Sequence, residues 1–296
     1  MRQKILVAGG SGLLGEALAR QLCRNHEVVA TYQTNEARLP FGCGRSVKID
    51  LSERDLALQL FRDQKFDVVI NCAGATAVDR CETDHDYVQK GNVDVVDNLL
   101  EAGQSAKFRL IQISTDYVFD GNDGPPTEQW KPNPINVYGT SKLVAEEKIG
   151  DSTMPCTILR VCALYSASPA AKTNTLKSIL TALKSGSVYA AADDLYSNPT
   201  EVNELATAIE ALLSKADLPR LLHVAPGEYL SRYQFALKVA ETIGADAELV
   251  RAAKVDDMNL AALRPKFAGL RSDFAAAILS RELKSATDVL RALISR

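Results

Sequence analysis

The stretch Ile5-Leu6-Val7-Ala8-Gly9-Gly10-Ser11-Gly12-Leu13-Leu14-Gly15 decides the architecture. Four apolar residues read as a buried strand, the glycines as a turn, and Leu14, Leu18 and Leu22 then recur on one helical face. A strand, a glycine turn and a helix in that order aim backbone N–H groups and the positive end of a helix dipole at an anion such as a pyrophosphate. Gly9 and Gly12 permit close backbone approach, and Gly15 permits tight packing of helix on strand. The spacing is Gly-x-x-Gly-x-x-Gly rather than Gly-x-Gly-x-x-Gly, and glycine clusters also occur at βα turns that bind nothing.

The pattern continues outward from that turn. Further strands are expected at 27–31, 46–50, 68–71, 109–113, 156–160 and 221–225, and helices at about 13–24, 52–64, 84–103 and 138–149. Between them, 33–45 and the Gly/Pro/Asn-rich 120–136 read as loops. Alternating strands and helices imply an α/β fold, a doubly wound parallel (Rossmann) sheet, with a smaller α/β substrate-binding lobe. The expected division is a dinucleotide-binding domain over 1–164, to which parts of 200–225 return, and a mainly substrate-binding lobe over 165–296.

Composition narrows the function. The 296 residues are 46% hydrophobic, enough for a sizeable core, and 34 basic against 37 acidic side chains give no field that would attract nucleic acid or an anionic membrane. Arg2 and Lys4 before an apolar run resemble the start of a secretory signal, but the glycines and Glu16 break the run. No other segment reaches the ~18 apolar residues of a membrane span. The six cysteines, at 23, 43, 72, 81, 156 and 162, lack metal-ligand spacing and are expected to be reduced, buried thiols of a cytoplasmic protein. His26, His85 and His223 are scattered, so no metal site is expected, and no serine sits in a nucleophile elbow.

The chemistry lies in Ser114-Thr115-Asp116-Tyr117-Val118-Phe119-Asp120-Gly121 and Tyr138-Gly139-Thr140-Ser141-Lys142. Tyr138 and Lys142 share a helical face, and an ammonium beside a phenol favours phenolate and lowers its pKa from ~10, which makes a general acid/base. One such pair is weak evidence among nine tyrosines. Thr115, at the end of the fifth strand, adds a hydroxyl able to hold a substrate carbonyl. At the end of the second strand, where NAD enzymes place a carboxylate on the ribose, stand Thr31 and Tyr32, with Arg38 beyond, which leans towards NADPH over NADH. Asp50 and Leu51 close the third strand beside the adenine position, or Asp50 helps cap the following helix.

These residues resemble the extended short-chain dehydrogenase/reductase superfamily and, within it, the dTDP-4-dehydrorhamnose reductases. The resemblance extends through Asn71 to Asp79, Glu82, Asn92, Asn136, Asn198-Pro199-Thr200, His223, Ser231, Phe235-Ala236 and Arg264-Pro265. It implies a catalytic set of Thr115, Tyr138 and Lys142, with Tyr138 and Lys142 also at the nicotinamide ribose. It implies that Gly12, Leu13 and Leu14 meet the pyrophosphate, Asp50 and Leu51 the adenine side, and Ala73, Gly74 and Ala75 the ribose region. Thr115, Asp116 and Tyr117 would face the sugar, and Arg264 is the candidate for its phosphates. The implied reaction is reduction of a nucleotide-linked 4-keto sugar by NADPH or NADH, with a homodimer left open.

The chain departs from that family along the substrate wall. Val161, Cys162 and Ala163 follow Arg160 where the family carries Arg-x-x-Trp, Ala75 replaces a His or Tyr, and Arg232 replaces a Trp. An Asn-Phe pair is replaced by Asn174-Thr175-Leu176 in its neighbourhood. Two other readings follow: a dinucleotide-binding regulatory subunit resembling the β subunit of methionine adenosyltransferase, and a nucleotide-sugar epimerase or dehydratase, for which Asp116 speaks.

Overall fold

The computed structural model describes residues 2–35, 44–168, 173–215 and 217–294. The first half runs β1 (Lys4–Ala8), α1 (Leu13–Leu22), β2 (Glu27–Tyr32), β3 (Gly44–Lys48), α2 (Arg54–Asp63) and β4 (Val68–Asn71). The short helices α3 (Val78–Cys81) and α4 (His85–Val88) lead through a π-helical segment, Gln89–Asp94, into α5 (Val95–Ala106). Then come β5 (Arg109–Thr115), α6 (Val137–Asp151), β6 (Cys156–Val161), β7 (Leu164–Tyr165) and α7 (Thr175–Lys184). The chain continues with β8 (Tyr189–Ala192), β9 (Tyr196–Ser197), β10 (Thr200–Glu201), α8 (Val202–Leu213), β11 (Leu221–His223) and β12 (Leu230–Ser231). It closes with α9 (Arg232–Ile243), β13 (Val250–Ala253), α10 (Asp273–Leu279) and α11 (Ala286–Ile294).

Seven strands form one parallel sheet in the order β11-β6-β5-β4-β1-β2-β3. Both faces are covered, so strand residues alternate between two cores. Ile5 and Val7 enter the core shared with Leu18, Leu22, Leu205 and Ile209 of α1 and α8. Leu6 and Ala8 enter the core shared with Leu60, Phe61, Leu99 and Ile149 of α2, α5 and α6. Each such aliphatic chain contributes about 1.5–3 kcal/mol by leaving water. A third core joins Tyr165, Ile179 and Leu183 to Phe235, Val239 and Leu290, away from the sheet. The order reverses at β1, which lies between β2 and β4, and a crevice opens there beyond the strand ends.

The helix expected over 84–103 runs unbroken from His85 on to Ala106, with π-helical spacing over Gln89–Asp94. Two expectations are corrected. The third strand lies at Gly44–Lys48 rather than 46–50. Cys72, Cys81, Cys156 and Cys162 are free thiols, but Cys23 is disulfide-bonded, a pairing that depends on folded geometry and leaves no mark in spacing. Arg38 and Cys43 lie outside the described residues. No helix among the described residues is long and apolar enough to cross a membrane, and no cluster of His, Cys, Asp and Glu among them could hold a metal.

Candidate active site

The glycine turn is shaped by close approach. Gly9 adopts φ 71°, and a Cβ there would lie 2.7 Å from the Ala73 nitrogen; at Gly15 it would lie 2.2 Å from the Gly9 carbonyl oxygen. Both collisions are with backbone, so side chains are excluded. Gly12 is the N-cap of α1, and no side chain caps that end, which leaves its first N–H groups free of any side-chain partner. The turn is tied to β2 by Gly10 N–H donating to the Thr31 carbonyl at 2.8 Å. Only glycine fits at positions 9 and 15, and the cradle's open N–H groups and bare backbone are what a dinucleotide pyrophosphate requires.

Two cavities meet at this turn. One, of about 470 Å³, runs from Gly9 and Gly12 to Thr31, Tyr32, Asp50 and Leu51. The other, of about 430 Å³, contains Leu13, Leu14 and Gly15 together with Thr115, Tyr138 and Lys142. Gly12, Ala73 and Gly74 belong to both. Ala75 lines the first cavity and is latched by Asn92, whose Oδ1 accepts from the Ala75 N–H at 2.9 Å. Asn92 belongs to the π-helical segment and also donates to Ser141 Oγ at 2.8 Å, which links the loop after β4 to α6. The carboxyl of Asp50 tends upward through burial, but the Ser52 hydroxyl and N–H hold it below the usual carboxylate range. Glu53, not Asp50, occupies the N-cap of α2.

The second cavity holds the reactive groups. Asn136 caps α6 by accepting from the Gly139 N–H at 2.7 Å, and Tyr138 and Lys142 then stand one turn apart. Thr115 ends β5; its Oγ1 accepts from the Tyr117 N–H at 3.1 Å and donates to Asp116 Oδ1 at 3.1 Å. Burial pushes the Tyr138 phenol well above its ordinary range, and the hydrogen-bonding neighbour Thr115 pulls it partly back. The Lys142 Nζ donates to the Ile113 carbonyl at 2.7 Å. Burial pushes the Lys142 ammonium down to about 8, opposed by the charge of Glu146.

Asp116 makes a pH-dependent contribution. Burial pushes its carboxyl up to about 6, against hydrogen bonds from Thr115 and from the Gly269 N–H at 3.0 Å, and against the charge of Arg232. The folded protein therefore holds this proton more tightly than the unfolded chain, so the contribution is full below the ordinary carboxylate pKa and is lost as pH rises through about 6. Asp116→Asn should gain stability relative to wild type, by about 1–3 kcal/mol, between about pH 4 and pH 7.5. Urea denaturation across that range measures it, and parallel stability curves would refute the assignment.

Arg264 has protein partners of its own. Its guanidinium donates to Asp79 Oδ2 at 2.9 Å and to the Ala262 carbonyl at 2.8 Å, and it lines a different cavity, beside Gly121 and Phe267. It is held by α3 and is not a wall of the reactive cavity. Besides Lys142, the cation that lines it is Arg232, the first residue of α9. Beneath the site, the buried Glu146 takes a bidentate contact from the Arg160 guanidinium and a hydrogen bond from Ser114 Oγ. Arg160 Nη1 also donates to His223 Nε2 at 3.3 Å, and burial beside that guanidinium pushes the imidazole down to about 3, so it is neutral.

A dinucleotide cradle at the switch point, with a phenol, a hydroxyl and an amine over its far end, marks an extended short-chain dehydrogenase/reductase. Within that class the chain belongs to the family described as the RmlD substrate binding domain, whose model matches residues 3–296. It is similar to the probable low-salt glycan biosynthesis reductase Agl14 of Haloferax volcanii, 31% identical over 88% of this chain and 87% of that protein. It is 26% identical to the methionine adenosyltransferase 2 subunit beta of Bos taurus, over 90% of this chain and 80% of that one. Among solved structures, the dTDP-4-dehydrorhamnose reductase ortholog of Clostridium acetobutylicum superposes with a TM-score of 0.86 at 28% identity, covering 99% of this chain and 98% of that one.

Proposed function

We propose that this chain is an NAD(P)H-dependent reductase of a nucleotide-linked 4-keto sugar. The observation that carries the reading is the meeting of the two cavities, which sets Thr115, Tyr138 and Lys142 at the far end of the glycine cradle. Gly9, Gly12, Leu13, Leu14 and Gly15 hold the pyrophosphate, Asp50 and Leu51 the adenine side, and Ala73, Gly74 and Ala75 the ribose region. A carboxylate-free end of β2, at Thr31 and Tyr32, accepts NADPH at least as well as NADH. Residues 1–164 with 200–225 form the dinucleotide-binding part and 165–296 mainly the substrate-binding part, a division supported by the separate core around Phe235.

A bound reduced nicotinamide would supply the hydride. The chain's own work is proton transfer and positioning. A phenol held above its ordinary range keeps its proton at neutral pH, which suits Tyr138 to donate to the carbonyl oxygen of a ketone. The Thr115 hydroxyl, turned from Asp116 Oδ1, donates to that carbonyl and orients it, and Lys142, titrating near 8, stands one turn behind the phenol as a proton source. Asp116 and Tyr117 face the sugar. Arg264 is ion-paired with Asp79, its charge reaches Tyr117, and it stays the candidate for the substrate's phosphates.

The test is a panel of nucleotide-linked 4-keto sugars offered with NADPH or NADH, following loss of reduced cofactor and formation of the hydroxy sugar. Stoichiometric cofactor consumption supports the reading. Sugar conversion without net consumption would mean epimerisation or dehydration instead. Dinucleotide binding without turnover on any sugar, together with a tight complex with another protein, would favour the regulatory reading.

A further inference from the structure

The reactive cavity contains three charged side chains: Asp116, Lys142 and Arg232. Two are engaged. Asp116 accepts from Thr115 and Gly269, and Lys142 donates to Ile113. The Arg232 guanidinium makes no hydrogen bond or ion pair with any described residue, although it is half-buried. Its backbone, by contrast, is fixed. The Arg232 N–H donates to the Leu195 carbonyl at 3.0 Å, and the preceding Ser231 forms a capping box with Gln234, whose N–H it accepts at 3.0 Å. Ser231 is also paired in register with Tyr196.

A guanidinium held at its root and lining a partly enclosed cavity has hydrogen-bonding capacity left for a ligand, since the carboxylate its charge reaches, Asp116, is engaged by Thr115 and Gly269. It lies near the reacting groups, since its charge acts on Asp116 and Tyr117, the two residues that follow Thr115. The same cavity is lined by the small, uncharged Cys162 and Ala163. The planar fork of an arginine matches the paired oxygens of a carboxylate or phosphate.

We infer that Arg232 binds an oxyanion of the substrate within the reactive cavity and so helps determine which substrate is held there. The inference deepens the reductase reading and rests on it. The anion has two sources of shared oxyanion chemistry: a carboxylate on the sugar ring, or the diphosphate that links sugar to nucleoside.

The test uses protein loaded with NADP and calorimetric titration of wild type, Arg232→Gln and Arg232→Lys with UDP-glucose, UDP-glucuronate, pyrophosphate and glucuronate. Arg232→Gln should weaken binding about 10- to 100-fold, the scale of a charge-assisted hydrogen bond, and Arg232→Lys should restore only part of it. Selective loss with UDP-glucuronate and glucuronate identifies a ring carboxylate. Parallel loss with both UDP sugars and pyrophosphate identifies the diphosphate. Equal affinities in wild type and Arg232→Gln for every probe, absent binding included, overturn the inference. If wild type reduces keto sugars with a KM that Arg232→Gln leaves unchanged, the inference falls and the reductase reading stands. If wild type reduces none, yet its anion binding depends on Arg232, the reductase reading alone falls.

Discussion

Replacing Tyr138 with Phe should lower turnover by about 10²–10⁴-fold while dinucleotide affinity changes little, because only the proton donor is removed. The phenol ring also packs edge-on against Tyr117, with centroids 5.9 Å apart at 73°, and phenylalanine preserves that contact. Folding should therefore survive, which thermal melting of the two proteins checks. Equal kcat values for wild type and variant would remove Tyr138 from the mechanism. The wild-type profile should also turn over near pH 8, where Lys142 loses its proton in the folded state.

The largest effect on stability is expected at Glu146. Removing its carboxylate by Glu146→Ala leaves the Arg160 guanidinium buried without a counter-charge and strips Ser114 of its acceptor. Breaking a buried pair of this kind costs about 3–5 kcal/mol. Replacing both partners, as Glu146→Leu with Arg160→Met, should recover much of that loss because neither charge is then stranded. Urea unfolding of the single and double variants measures the difference. If the single variant is as stable as wild type, the pair is not the clamp that holds α6 to the ends of β5 and β6.

Parts of this molecule are readable before it folds because the physics that places them is local. β1 and β4 are buried on both faces, so Ile5–Ala8 and Val68–Ile70 stand out as unbroken apolar runs, and Leu14, Leu18 and Leu22 mark α1 by period alone. Tyr138 and Lys142 are one helical turn apart in any helix. What escaped notice depends on partners distant in sequence. Arg264 and Arg232 look alike as letters; only the fold brings Asp79 to one and leaves the other facing the cavity. The π-helical segment carries no hydrophobic signature, since it differs from its flanks in hydrogen-bond spacing rather than in composition. Arg160 in an otherwise apolar strand was a legible sign of a buried partner, and Glu146 answers it.

The return of the chain to the sheet has a consequence for synthesis. β11 is the outermost strand beside β6, and α8 covers α1, yet both are encoded after β7, α7 and the first short strands of the other lobe. A nascent chain that has emerged only as far as β6 carries an unpaired strand edge and an α1 that still lacks α8 against it. Both are templates for association with other chains. The N-terminal part cannot be finished until His223 has left the ribosome, so its exposure lasts through the synthesis of some sixty further residues, several seconds at ordinary elongation rates of about 5–20 residues per second.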